Sequence, residues 1–480
     1  MSDIYENDTA QEGKRKKSLL HKNDLLTLEI TDMNNLGYGI GHAPDGMTVF
    51  VGGVVSGDKV EAKIIKIASH YAIARLEALL EASCFRAMEG DARYNFCSAS
   101  SSCGGCCYRY IKYSYEKEIK REYVRNSFKR AGLPDVEVKE TVSNGIISGY
   151  RNKAQYPVRR VNGKTVAGFF ANGTHRIIPC NRCTLLPNVF SDIVKFIVEF
   201  IDRKRISAYD EENESGILRH ICLRTGQATG EIMVCLVINR ENMPYDKELA
   251  DSLISKFPSI VSVMININMK NTNVILGDRT YCVGGREYME DILCGIRLRV
   301  SAESFYQVNR DMAEVLYGIV RDKCNPDKNT VIADLYCGTG SIGLSMAKDA
   351  ELVIGVEIVP RAVECACQNA KLNGIENARF FCGDATDTNG LLKDALAFLE
   401  GRIPDVAIID PPRKGSTTEL IDYLDYLGIK KVVYVSCAPD TLARDCAYFA
   451  KKGYNIGEVT PVDLFPGTGH VESVVLMSKQ

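Results

Sequence analysis

No apolar run among the 480 residues is long enough for a membrane span or for the core of a secretion signal. That absence predicts a cytosolic protein with no membrane partner. An excess of charge of either sign is missing as well. The chain has 59 Lys and Arg against 61 Asp and Glu, a formal net charge of −2, so any hold on a polyanion must come from local patches. The setting for a disulfide scaffold is also lacking, despite 18 cysteines. A chain of this length can build real cores, and the cytosol is reducing. The cysteines therefore matter by their spacing and neighbours.

Residues 1–20 read as a mildly basic, disordered arm around Lys14-Arg15-Lys16-Lys17. From there to about residue 82, short alternating segments predict strands separated by glycine turns. They are Leu26-Thr27-Leu28-Glu29-Ile30, Val49-Phe50-Val51, Lys59-Val60-Glu61-Ala62-Lys63-Ile64 and Ala72-Ile73-Ala74-Arg75-Leu76. Strands this short and this close together suit a small closed barrel. Gly37-Tyr38-Gly39-Ile40-Gly41, with Val49-Phe50-Val51 and the stretch from Val54 to Val60, resembles the TRAM domain, an OB-like RNA-binding barrel. Residues 83–300 read as a central α+β domain that opens with a cysteine-rich stretch. A charged helix runs from Tyr115 to Ala131, with Ile119, Tyr123, Val124 and Phe128 at helical spacing. The strands that follow, such as Ile217 to Arg224 and Glu231 to Ile238, predict an antiparallel sheet with partly solvated faces.

From about 301 to 480 buried strands alternate with helices, an α/β signature. Val331-Ile332-Ala333-Asp334-Leu335-Tyr336 runs into Cys337-Gly338-Thr339-Gly340-Ser341-Ile342-Gly343, a glycine turn that lets backbone approach a ligand. The next strand ends in Glu357, placed to accept hydrogen bonds from a ribose diol; NAD enzymes share that feature. Two later strands deliver Asp410-Pro411-Pro412-Arg413 and Ser436-Cys437-Ala438-Pro439 to the carboxyl edge of the sheet. Class I methyltransferases carry target-base chemistry at those strand ends, whereas a dehydrogenase needs neither Asp-Pro-Pro nor a cysteine there.

Asp334-Leu335-Tyr336-Cys337-Gly338-Thr339-Gly340, Asp410-Pro411-Pro412-Arg413 and Ser436-Cys437 with Thr441-Leu442-Ala443-Arg444-Asp445 form one set of motifs. Ser304-Phe305-Tyr306-Gln307-Val308-Asn309 and Phe465-Pro466 with His470-Val471-Glu472 complete it. Together they resemble the RNA 5-methyluridine methyltransferase family over nearly the whole chain from residue 25. The iron–sulfur-containing 23S ribosomal RNA members are the most similar. The resemblance implies a multidomain α/β protein: TRAM-like barrel (21–82), central domain with a four-cysteine site (83–300) and Rossmann-like class I methyltransferase domain (301–480). It implies S-adenosylmethionine as cofactor, lined by Gln307, Tyr336, Glu357 and Asp410, with Cys437 as nucleophile and Glu472 as base. A cytoplasmic monomer acting on 23S ribosomal RNA without an obligate protein partner is the corresponding expectation.

The chemistry explains the residue types. Carbon 5 of uracil is a poor nucleophile until a thiolate adds at carbon 6 and turns the ring into an enolate. A base must afterwards take the proton from carbon 5 so that the thiolate can leave. Asp410 is placed to accept a hydrogen bond from uracil N3–H. The target base must leave its stack to reach these groups, so a flipped or single-stranded uridine is expected, with the barrel and the basic helix holding the flanking RNA.

Cys97, Cys103 and Cys106 pack three soft ligands into ten residues, and Gly104-Gly105 allows the sharp wrap. Zinc and iron–sulfur clusters both accept such a set, and spacing does not choose between them. The resemblance chooses [4Fe–4S], with a distant fourth cysteine after Thr174-His175-Arg176-Ile177-Ile178. Cys183, followed by Thr184-Leu185-Leu186-Pro187, fits that place, and Cys180 is the alternative. Cys107 departs from the family, which usually has a polar residue there. Methyl transfer needs no electron, so a structural or RNA-contacting role is expected for the cluster. Two rival readings are the same chemistry on the T-loop uridine of transfer RNA and a non-catalytic RNA-binding assembly factor.

Overall fold

The computed structural model describes residues 20–88, 90, 91, 97, 99, 102–387 and 397–480. The basic arm expected before residue 20 lies outside them. Contacts divide the chain into two compact units. The first takes residues 1–119, 169–178 and 467–469, and the second takes 120–168, 179–466 and 470–480.

The first unit holds a six-stranded sheet from Leu25–Glu29, Asp32–Met33, Tyr38–His42, Thr48–Gly52, Lys59–Ile67 and Tyr71–Glu81. Leu25–Glu29 pairs with Lys59–Ile67 at one end of the strand order, and Asp32–Met33 pairs with Tyr38–His42 at the other. These two strands are consecutive in sequence, so a short link joins the two ends of the strand order. Alternation puts Leu28, Val49, Val51, Val60, Ala62, Ile64, Ala72 and Ala74 inside. Asp58 is fully buried below this core, where it accepts from the backbone N–H groups of Val55 and Ser83 and pairs with Arg86.

The second unit has two large sheets. In the first, Lys153–Val161, Leu218–Thr225, Ile232–Ile238, Ile260–Ile267 and Arg279–Gly285 are neighbours, with Lys164–Phe170 beside Lys153–Val161. It is not purely antiparallel: Ile232–Ile238 and Ile260–Ile267 run parallel, joined through the helix Asp246–Lys256. Nor are its central strands solvated, since every residue of Leu218–Thr225 and Ile232–Ile238 is buried. The run of seven apolar residues in Ile232–Ile238 is the reason, because it needs cover on both faces. Cys222, Met233, Cys235 and Val237 supply one face to an apolar cluster that continues through Leu316 and Ile332 to Val433 and Val474.

The second sheet is built from β1 (Val331–Leu335), β2 (Leu352–Glu357), β3 (Ala378–Cys382), β4 (Val406–Ile409), β5 (Lys431–Ser436), β6 (Asn455–Val462) and β7 (Glu472–Ser478). Their order is β3-β2-β1-β4-β5-β7-β6. All neighbours are parallel except those involving β7, which runs antiparallel to β5 and β6. The order reverses between β1 and β4, and a doubly wound sheet opens its ligand crevice at that point. The helices Pro360–Leu372 and Pro439–Lys451 each begin with a proline at the first turn, where its missing N–H costs nothing. The charged helix spans Tyr113–Arg130. Among the described residues no helix is long and apolar enough to cross a membrane.

Candidate active site

The sheet register brings four of the expected residues to one edge. Leu335 faces Ile409 in the β1–β4 ladder, so Tyr336 and Asp410 come next, just beyond the strand ends. Ser436 faces Ser473 between β5 and β7, so the next pair is Cys437 and Glu472. Gln307 lies in the entry segment to the helix Arg310–Cys324; it is buried, and its carbonyl accepts from Asn152 Nδ2 at 2.8 Å.

The glycine loop after β1 is shaped for close approach. Gly338 and Gly340 both have positive φ, and a Cβ at Gly340 would stand 2.9 Å from the Phe380 ring. Tyr336 itself has φ 66°, a conformation a tyrosine adopts at a cost. Its hydroxyl is pushed up to about 12, mainly by burial. Glu357 is oriented by the backbone: the Gly338 N–H donates to one oxygen at 3.0 Å and the Val359 N–H to the other at 2.9 Å. Each oxygen keeps a lone pair for a further donor.

Asp334, part of the glycine-loop motif, lies beside these groups. It is fully buried on β1, and its Oδ2 accepts the Gly343 N–H at 2.9 Å while Oδ1 has no partner among the described residues. Burial pushes its carboxyl up to about 7, with Asp410 and Glu357 adding to the effect. A buried carboxylate oxygen without a donor fits a ligand that carries N–H or O–H groups. With the glycine loop and Glu357, it makes a cradle suited to S-adenosylmethionine.

The other half of the crevice is acidic. Asp410 is half-buried by surface area, yet desolvation pushes its carboxyl up to about 7. Glu472 is buried, and burial followed by the charge of Asp410 raises it to about 8, against an opposing pull from Arg413. The Cys437 thiol is raised by burial and then by Glu472 and Asp410, while Arg413 opposes through its charge and a hydrogen bond.

Several contacts fix the loops that carry these groups. Asp445 accepts from the Tyr434 hydroxyl at 2.7 Å and from the Ser416 N–H at 2.8 Å, and it pairs with Arg444. Those bonds anchor the end of the Asp410–Ser416 turn, which accounts for the Arg444-Asp445 motif. Ahead of Glu472, Lys120 pairs with Asp463 at 2.7 Å with both side chains buried, and it donates to the Phe465 carbonyl at 3.2 Å. The basic helix is therefore partly an internal element: Lys120, Arg121 and Arg130 all bind within their own unit.

The cysteine cluster has a different outcome. In the first unit the Gly105 N–H donates to Cys103 Sγ at 3.4 Å, and Arg109 binds the carbonyls of Cys103 and Cys106. Cys183 and Cys180 belong to the second unit, where both act on buried Tyr156. Among the described residues no group of three or more His, Cys, Asp or Glu side chains is gathered to hold a metal ion. The expected set Cys97, Cys103, Cys106 and Cys183 thus finds no support among them.

Comparison with known proteins agrees with the methyltransferase fold. The tRNA (Uracil-5-)-methyltransferase family matches residues 112–480, and the TRAM domain matches residues 22–76. An uncharacterized RNA methyltransferase of Clostridium acetobutylicum is 38% identical over 461 residues, covering 95% of this chain and 98% of the relative. One from Listeria monocytogenes serotype 4b is 40% identical over 461 residues, covering 96% and 99%. The crystal structure of Pyrococcus abyssi tRNA (uracil-54, C5)-methyltransferase in complex with S-adenosyl-L-homocysteine superposes with a TM-score of 0.74. It is 24% identical and covers 94% of this chain and 100% of its own, which shows a common fold. The chain therefore belongs to the S-adenosylmethionine-dependent RNA uracil-5-methyltransferase family and carries a TRAM domain.

Proposed function

We propose that the protein methylates carbon 5 of a uridine in 23S ribosomal RNA through a covalent bond between Cys437 and carbon 6. The observation that carries this reading is the β5–β7 register, in which Cys437 and Glu472 are the next pair beyond Ser436 and Ser473. S-adenosylmethionine, when bound, supplies an electrophilic methyl group. Gln307, Tyr336, Glu357 and Asp410 would hold it, with Asp334 added from the cradle described above. The Cys437 thiolate adds to carbon 6, carbon 5 takes the methyl group with release of S-adenosylhomocysteine, Glu472 removes the carbon 5 proton, and the thiolate leaves as the double bond returns. Arg413 opposes burial and the two carboxylates, which raise the Cys437 thiol. Ribosomal rather than transfer RNA is favoured by the TRAM domain combined with the cysteine-rich stretch.

Tritium release from RNA carrying 5-tritiated uridine tests this function. Release from unmodified 23S ribosomal RNA alone is expected. Release from transfer RNA alone would overturn the substrate, and no release from either, with cofactor bound, would overturn the activity.

The pH profile should carry the mark of Glu472. A base must be unprotonated to accept the carbon 5 proton, and this carboxyl is raised to about 8. The rate should therefore climb with pH through that value, and go on rising above it as the Cys437 thiol, itself raised, gives up its proton. Arg413→Gln, which removes the opposing charge, should move the limb to higher pH. A rate independent of pH between about 6 and 9 would contradict the assignment.

The same reading assigns a [4Fe–4S] cluster to Cys97, Cys103, Cys106 and Cys183, with Cys180 as the alternative fourth ligand. Its support is the spacing and the family resemblance. Anaerobically purified protein should contain equal iron and sulfide, and Cys103→Ser should lose both. Zinc in their place, or no metal, would overturn it.

A further inference from the structure

Lys153 and Arg224 are paired across neighbouring strands of the first sheet of the second unit, so their side chains rise from the same face. Arg224 is buried and donates to the Ser304 carbonyl at 2.7 Å, in the segment that leads to Gln307. Glu303 is a carboxylate that acts on Arg224, but it is exposed and forms no ion pair with it. Among the described residues Lys153 has neither an ion pair nor a side-chain hydrogen bond, and burial followed by the charge of Arg224 pulls its ammonium down to about 8. Other cations of this unit stand on carboxylates: Arg286 on Glu231, Arg299 on Glu290 and Arg310 on Glu314. Two adjacent cations, Arg224 buried and Lys153 half-buried, are costly without an anion among the described residues unless a ligand completes them.

The surroundings indicate which anion. Arg151 repels both Lys153 and His470, and Arg413 acts on His470 and on Cys437. Positive charge thus acts on Lys153 and His470 from Arg151, and on His470 and Cys437 from Arg413. Several cations suit a polymer that carries a charge on every unit better than one small carboxylate. A guanidinium fork beside an ammonium matches the two outer oxygens of a phosphodiester.

We propose that Lys153 and Arg224 together bind one phosphate of the RNA backbone beside the target uridine. The inference rests on the reading of the substrate as RNA, and it adds positioning residues outside the methyltransferase sheet. Holding that phosphate fixes the strand while the base turns into the crevice.

The test is the salt dependence of binding of a fluorescent oligouridylate to the full chain with S-adenosylhomocysteine present. Each phosphate contact on a single strand contributes about 0.7 to the slope of log K against log salt. Lys153→Gln should lower the slope by about that amount, and Arg224→Lys, which keeps the charge, should retain it. An oligouridylate with methylphosphonate linkages should bind the wild type and Lys153→Gln with the same slope. Wild-type slope and affinity in Lys153→Gln would overturn the proposal. So would a loss of S-adenosylhomocysteine affinity with the slope unchanged, which would give the pair to the cofactor carboxylate. Tritium release by the wild type, measured alongside, reports on the methylation reading separately, since the slopes need no turnover.

Discussion

Cys437→Ala is expected to abolish tritium release from 5-tritiated RNA, lowering turnover by on the order of 10⁴-fold or more. S-adenosylhomocysteine affinity should stay close to that of the wild type. The separation follows from the sheet: Cys437 stands beyond β5, whereas the cofactor cradle of Asp334, Gly338 and Glu357 lies around β1 and β2. Without the thiolate carbon 5 is never activated, so no later step proceeds. Calorimetric titration with S-adenosylhomocysteine distinguishes a lost nucleophile from a collapsed crevice. If the alanine variant kept more than about a tenth of the activity, covalent catalysis by Cys437 would be ruled out.

Glu472→Gln should behave differently although the residue faces the same bond. Turnover should fall by roughly 10²–10⁴-fold, the usual contribution of a positioned base. The steps before proton removal do not need the carboxylate. The variant should therefore build up RNA bonded to protein, seen as a slow band on a denaturing gel. The amide also removes a carboxylate that raises the Cys437 thiol, so addition should become easier. A double variant with Cys437→Ala should show no such band. Slow turnover without the adduct would place Glu472 before addition, as a structural residue of the crevice wall.

Much of this site could be read from the chain alone because its parts are local. The Asp-Pro-Pro and Ser-Cys pairs mark strand ends, and the glycine loop marks the turn after β1. Their union at one edge follows from the strand order of a doubly wound sheet. The strands of the TRAM domain were legible for the same reason, since alternation and glycine turns are local properties. What escaped is set by distant residues. Ile232–Ile238 has the apolar run of a strand covered on both faces, but its parallel partner is chosen by the helix Asp246–Lys256 and by the core it meets. Asp334 differs from other strand carboxylates through a bare Oδ1, and an unfilled hydrogen bond leaves no trace in sequence. Lys153 and Arg224 lie about seventy residues apart, and only the ladder makes them neighbours without an anion. The assignment of residues 169–178 and 467–469 to the first unit is likewise a property of tertiary contacts.

The central claim, a bond from Cys437 to carbon 6 of a uridine, is tested most directly with RNA containing 5-fluorouridine. Fluorine cannot be removed as a proton, so the reaction should halt after methyl transfer with protein and RNA still joined. Digestion and mass spectrometry should then find a methylated fluorouridine on the peptide that contains Cys437, formed only with S-adenosylmethionine present. An adduct on a different cysteine, or complete turnover with no adduct, would contradict the account.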